Sequence, residues 1–291
     1  MKTILVPIDF SDYSMHGAEA AVILAKKTGA VLHLLNVILK TDYFISGNPM
    51  FNTLPATYLL ENSGENLKEA ALKNLERMSR KSLFKGINVK YSVRTSAVVH
   101  TEIIKCSNEI NAELVVIGSK GSSGIKNILL GSTAERVVRF SERPVLVIPS
   151  KLKSRQIRPI VFASDFHDEA YGIFPYVRMF AKILSADIHL LKINTIDQFN
   201  STRDNIKIMN DFNKYFKTKC KVIIYDAFMK EEGILHYSGD VNAGLIALGT
   251  HGKKGLMRFF RPDISGGMVR LSQKPILVVN IKKFKLKNDI R

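Results

Sequence analysis

The chain has 291 residues, 46% of them hydrophobic, and carries 43 Lys and Arg against 26 Asp and Glu, a formal net charge of +17. The length favours two domains over one, and the apolar fraction is enough to bury real cores, which excludes a disordered or fibrous chain. No apolar run reaches the roughly 18 residues of a membrane span, and the opening MKTILVPIDF meets an acid at position 9 without the long apolar region of a secretory signal. Cys106 and Cys220 show no metal or redox spacing, which predicts a reduced, cytoplasmic compartment with both thiols buried as small apolar groups. The positive charge is uneven, about +5 over residues 1–149 and about +12 over 150–291. Scattered lysines make a solvated surface the first reading of it; a polyanion, a phosphate or an acidic membrane surface is the other.

In chain order, ILVPI (4–8), VLHLLNV (31–37), INVKYSV (87–93), LVVIG (114–118) and PVLVI (144–148) read as strands, apolar almost throughout, as expected when both faces are buried. Between them SMHGAEAAVILAKKTG (14–29), ENLKEAALKNLERMSRKS (65–82), VVHTEIIKCSNEI (98–110) and STAERVVRFS (132–141) have helical spacing. Gly29 and Gly86 stand where helix C-caps belong. Residues 40–60 read as a long loop, either a flap packed on the surface or a lid or dimer contact. Alternating strands and helices predict right-handed crossovers and an open parallel sheet covered on both sides.

The same order then recurs. KTILVPIDFSDYS (2–14) matches RPIVFASDFHDEA (158–170), AVLHLLNV (30–37) matches ADIHLLKI (186–193), NAELVVIGSKG (111–121) matches NAGLIALGTHG (242–252), and ERPVLVIP (142–149) matches QKPILVVN (273–280). A fixed-order repeat predicts a tandem duplication: two open five-stranded parallel sheets with helices on both faces. The units are residues 1–150 and 158–281, joined by a short basic linker at about 151–158 and followed by a basic tail at 282–291.

In such sheets the crevice lies beyond the C-terminal strand ends. Pro7, Asp9 and Ser11 follow the first strand, Val37 ends the second, and Gly118 opens GSKGSSGIKNILLGS after the fourth. Gly118, Gly121 and Gly131 are read as turn or close-approach positions. Ser132 is read as an N-cap paired with Glu135 in a capping box. A helix start there, with Lys120 and Lys126 nearby, suits phosphate, while Asp9 can accept from a ribose hydroxyl or an adenine amino group. Taken singly each residue has a plainer reading: turn glycines, a simple cap, and Asp9 or Ser11 as the cap of the first helix. Their convergence on one crevice favours a nucleotide. Asp12 admits two readings, a Mg²⁺ contact or a first-turn carboxylate favoured by the helix dipole.

The spacing Gly-x2-Gly-x9-Gly-Ser at Gly118, Gly121, Gly131 and Ser132 resembles the ATP-binding signature of the universal stress protein family. So do Pro7-x-Asp9-x-Ser11 after the first strand and the closing Arg143–Val147 strand. The resemblance covers nearly the whole chain, as two copies. It implies a Rossmann-like, adenine nucleotide α-hydrolase-like fold, ATP or another adenine nucleotide as ligand, and assembly through the last strand; Mg²⁺ is expected to accompany ATP. The assembly would be an internal pseudo-dimer, with a homodimer and an unnamed protein partner also in view. Carried over by position, Pro7, Asp9 and Val37 would meet base and ribose. Gly118, Ser119, Lys120, Gly121, Gly131, Ser132 and Thr133 would meet ribose and phosphates.

The second copy departs from the pattern. Asp165, Ile193, Gly249 and Gly252 are kept, but Pro262 and Asp263 replace the third glycine and the serine. Proline has no N–H to donate, and Asp263 would repel an anion, so this copy is expected not to bind ATP. The basic residues His251, Lys253, Lys254, Arg258 and Arg261 leave a different anionic ligand as the other reading. No Walker Gly-x4-Gly-Lys-Ser/Thr is present and no two histidines have metal-ligand spacing; His33 and His189 are read as satisfied core histidines. A regulatory stress-response binding module, hydrolysing ATP slowly at most, is expected. The competing classes are a nucleic-acid-associated basic protein, for which no motif is present, and a structural tandem dimer that binds no nucleotide.

Overall fold

The computed structural model describes residues 1–39, 56–119, 131–152, 158–250 and 274–280, with the backbone course alone at 56–64 and 250. The N-terminal half runs β1 (Thr3–Pro7), α1 (Asp12–Thr28), β2 (Val31–Leu39), α2 (Ala56–Ser79), β3 (Val89–Ser96), α3 (Val99–Glu109), β4 (Leu114–Gly118), α4 (Ser132–Phe140) and β5 (Val145–Ile148). The C-terminal half repeats the plan with β6 (Ile160–Ala163), α5 (Asp168–Leu184), β7 (Ile188–Asn194), α6 (Thr202–Tyr215), β8 (Lys221–Asp226), α7 (Lys230–Asp240), β9 (Leu245–Thr250) and β10 (Ile276–Asn280).

The apolar runs form strands because both faces of the sheet are covered. Along β1, Ile4 and Val6 join a core with α1, α2, α5 and α6, while Leu5 between them joins a second core with α3, α4 and α7. The strand order is β3-β2-β1-β4-β5-β10-β9-β6-β7-β8. Each half is parallel throughout, and the two meet through an antiparallel pair in which Ile276, Leu277 and Val278 face Val147, Leu146 and Val145. Two five-stranded sheets thus merge into one of ten strands.

The duplication is written into the backbone as well as the sequence. Among the described residues the left-handed positions fall into matched pairs: Phe10 and Phe166 (φ 63° and 60°), Gly29 and Ser185 (71° and 51°), Gly86 and Lys217 (80° and 50°), Asn111 and Asn242 (48° and 47°). Sharp turns therefore outlast the glycine that would make them easy.

Three expectations change. The second helix begins at Ala56, so the expected loop over 40–60 gives way to helix for its last five residues; residues 40–55 lie outside the described residues. Gly29 caps α1 as expected, but Gly86 is not a cap of α2, which ends at Ser79; it turns the chain after a short 3-10 helix at Ser82–Phe84. Cys106 is buried, whereas Cys220 is only half-buried. His33 and His189 are satisfied, as expected: His33 Nε2 lies 2.8 Å from Ser92 Oγ and His189 Nδ1 lies 2.7 Å from Tyr237 Oη. No helix among the described residues is long and apolar enough to cross a membrane.

Candidate functional site

Strand order reverses between β1 and β4, and open α/β sheets form their crevices at such a switch, beyond the strand ends. A cleft of about 300 Å³ opens there, and Pro7, Asp9, Val37, Gly118, Gly131, Ser132 and Thr133 line it together. They come from four separate stretches of the sequence, at 7–9, 37, 118 and 131–133, and only the crossovers bring them to one place.

Asp9 reaches the cleft through a sharp turn. Phe10 after it holds a left-handed φ of 63°, a costly conformation for a bulky side chain. Ser11, not Asp9, caps α1, accepting from Ser14 N at 3.3 Å. The Asp9 carboxylate instead accepts from Ser11 N at 3.0 Å and from Ser11 Oγ at 2.5 Å. Two donors thus orient it at the cleft's rim.

Gly118 has another reason for being glycine than the expected turn. It is the last residue of β4, and a Cβ there would lie 2.3 Å from the backbone oxygen of Tyr13. Glycine here lets α1 cross close over β4. The same approach brings a Cβ built at Gly17 to 3.2 Å from Gly118 N.

Ser132 is not the N-cap. Helix α4 starts with it, and Gly131 is the cap, at an ordinary φ of −63° and without a side-chain bond. Gly131 N donates to Ser119 O at 2.7 Å, and Glu135 N makes the first helical bond, to Gly131 O. The amides of Ser132, Thr133 and Ala134 precede that bond, so they are the donors the helix start presents, together with its positive dipole end. A side-chain cap would compete for these amides; glycine does not. Ser119 is not among the residues lining the cleft; it is buried, with its N–H on Ile148 O at 2.9 Å. Lys120, Gly121 and Lys126 lie outside the described residues, as do residues 251–273 with Pro262, Asp263 and the basic cluster, and the tail.

The sequence reading missed the apolar wall. Leu35 and Leu39 flank Val37 at alternate positions on one face of β2, and Val99 and Ile103 oppose them from α3. The signal was the period of two in LNVIL and the four-residue step on the helix. An apolar slot ending in a helix N-terminus can hold a flat apolar ring at one end and an anion at the other. Asp12 is the first residue of α1, and among the described residues no three His, Cys, Asp or Glu side chains converge as a metal site.

With that geometry established, the family model described as "Universal stress protein family" matches residues 1–149. A universal stress protein of Methanocaldococcus jannaschii is 32% identical over 152 residues, covering 52% of this chain and 84% of that one. One from Synechocystis sp. is 22% identical over 296 residues, covering 95% and 99%. The crystal structure of a universal stress protein from Archaeoglobus fulgidus superposes with a TM-score of 0.68 at 22% identity, covering 96% of this chain and 98% of that one. Its double-length match shows that the whole ten-stranded fold recurs. This chain belongs to the universal stress protein family, in its tandem, two-unit form.

Proposed function

We propose that the cleft of the N-terminal half holds an adenine nucleotide, ATP foremost, and that the protein acts as a nucleotide-dependent regulatory module. The observation that carries this is the convergence of Asp9, the apolar slot at Val37 and the open helix start at Gly131–Thr133 on one cleft at the strand-order switch. The base would lie against Val37 and its neighbours, a ribose hydroxyl would donate to Asp9, and phosphates would accept from the first-turn amides of α4. Mg²⁺, with Asp9 the one carboxylate lining the cleft among the described residues, would be held chiefly by the phosphates themselves.

Mass spectrometry of nucleotide released from the purified, denatured protein tests this. About one ATP per chain is expected. Gly131→Asp, which sets a carboxylate at the helix start, should weaken ATP by tenfold or more, ~1.4 kcal/mol, in a chain whose circular dichroism is unchanged. Undiminished affinity in that variant, or no nucleotide in the wild type even after titration with ATP, would overturn the reading.

A further inference from the structure

Because the fold is duplicated, residues in and beside the N-terminal cleft have counterparts in the C-terminal half, and two of these counterparts are lysines. Val99, the first residue of α3, lines the cleft. Its counterpart, the first residue of α7, is Lys230, whose Nζ lies 2.8 and 3.1 Å from the two carboxylate oxygens of Asp165, the counterpart of Asp9. Asn36, which donates to Ile8 O at 2.7 Å from the α1 side of the sheet, is matched by Lys192. The Lys192 ammonium lies 3.4 Å from Asp165 O and 3.8 Å from its carboxylate. Asp165 is therefore gripped from both faces of the sheet. Val37, half-buried in the first cleft, is matched by Ile193, which is buried.

The grip is hard to release. Lys192 is only 3% exposed, and a buried ammonium stripped of its counter-charge is strongly unfavourable. Burial also pushes its pKa down, against the raising influence of Asp165. Moving Asp165 toward a ligand would strand that charge. A ribose hydroxyl would in addition have to displace the Lys230 ammonium, a charge-assisted partner that is already part of the chain.

We infer that Lys230 is the specificity-determining residue of the C-terminal half: its ammonium takes at Asp165 the place that a ribose hydroxyl takes at Asp9, and so shuts that crevice to nucleosides. This rests on the role given to Asp9 above. The second half is then self-liganded, independently of its altered glycine loop.

Adenosine, which has no phosphate, separates the two features. Equilibrium dialysis of the full chain against saturating adenosine should give one equivalent for the wild type and two for Lys230→Val, which restores the residue found at position 99. Asp9→Ala should remove one equivalent from each. Lys230→Met, which keeps the stem and drops the charge, serves as a second variant should the first fold poorly. One equivalent on both folded variants, or two on the wild type, overturns the latch. No binding to the wild type marks failure of the Asp9 role instead; one equivalent on Lys230→Val would then still support the latch, and none would sink it.

Discussion

His33 and His189 occupy the same place in the two halves, and each is held by a hydroxyl in a half-buried site. Burial lowers the pKa of both, helped by Arg94 and Lys90 at His33 and by Lys221 at His189, with Asp187 opposing it at the latter. A histidine whose folded pKa falls below its unfolded value of about 6.5 adds stability above that pH and loses it as pH drops through the folded value. The urea midpoint should therefore decline between pH 7.5 and pH 5, and His33→Gln with His189→Gln should flatten the decline. An unchanged slope would mean the imidazoles do not carry it. The pairing of these histidines was readable from the repeat, and so was Asp9. The packing role of Gly118 was not, because its contact with Tyr13 spans more than 100 residues. Nor was the partnership of Asp165 with Lys230, which unites two segments 65 positions apart.

Elements were legible where one force dominated. Strands buried on both faces announce themselves as apolar runs: the five of the first half and β6, β7, β9 and β10 of the second stand where those runs or their repeats place them, whereas β8, more exposed, had no repeat to mark it. The start of α2 was hidden because Asn62, Ser63 and Gly64 weigh against helix, although Pro55 just before it is a start signal. Ser132 was misread as a cap because the capping-box pattern is satisfied one residue late; the chain uses Gly131 and keeps the amides of α4 uncovered. The other end of α4 is secured from the opposite half, where Asn280 Nδ2 at the end of β10 donates to Arg139 O and Ser141 O, each at 3.3 Å. The helix whose first residues line the cleft of one half is thus capped by the last strand of the other. Asn280→Ala should cost about 1 kcal/mol of stability, the net worth of a typical hydrogen bond, measured by urea titration. A change below ~0.3 kcal/mol, within the range of an ordinary surface substitution, would show that water replaces the cap fully.

At the scale of the molecule, the seam between halves is a core and not a surface contact. Beyond the β5–β10 ladder, Ala20 and Leu24 of α1 face Phe180 and Leu184 of α5 around a void of only about 10 Å³, at the limit of holding one water. Buried residues from both halves form each of the two continuous cores. Chains of this size often unfold in steps, but shared cores predict one transition here. Calorimetry should give equal calorimetric and van't Hoff enthalpies; two resolved peaks would show halves that melt independently.

The antiparallel ladder at Val145–Val147 and Ile276–Val278 carries a further consequence. Had its two strands belonged to separate molecules, their pairing would follow mass action and weaken on dilution. Tethered on one chain, each strand meets the other at an effective concentration fixed by the connection, in the millimolar range for short flexible tethers. The contact then survives at any abundance of the protein. It also frees the two halves from identity: a single gene for a symmetric pair must place the same residue at both cleft positions, whereas this chain sets valine at 99 and lysine at 230. One chain can therefore hold an asymmetric pair, with different residues at matched places on its two sides.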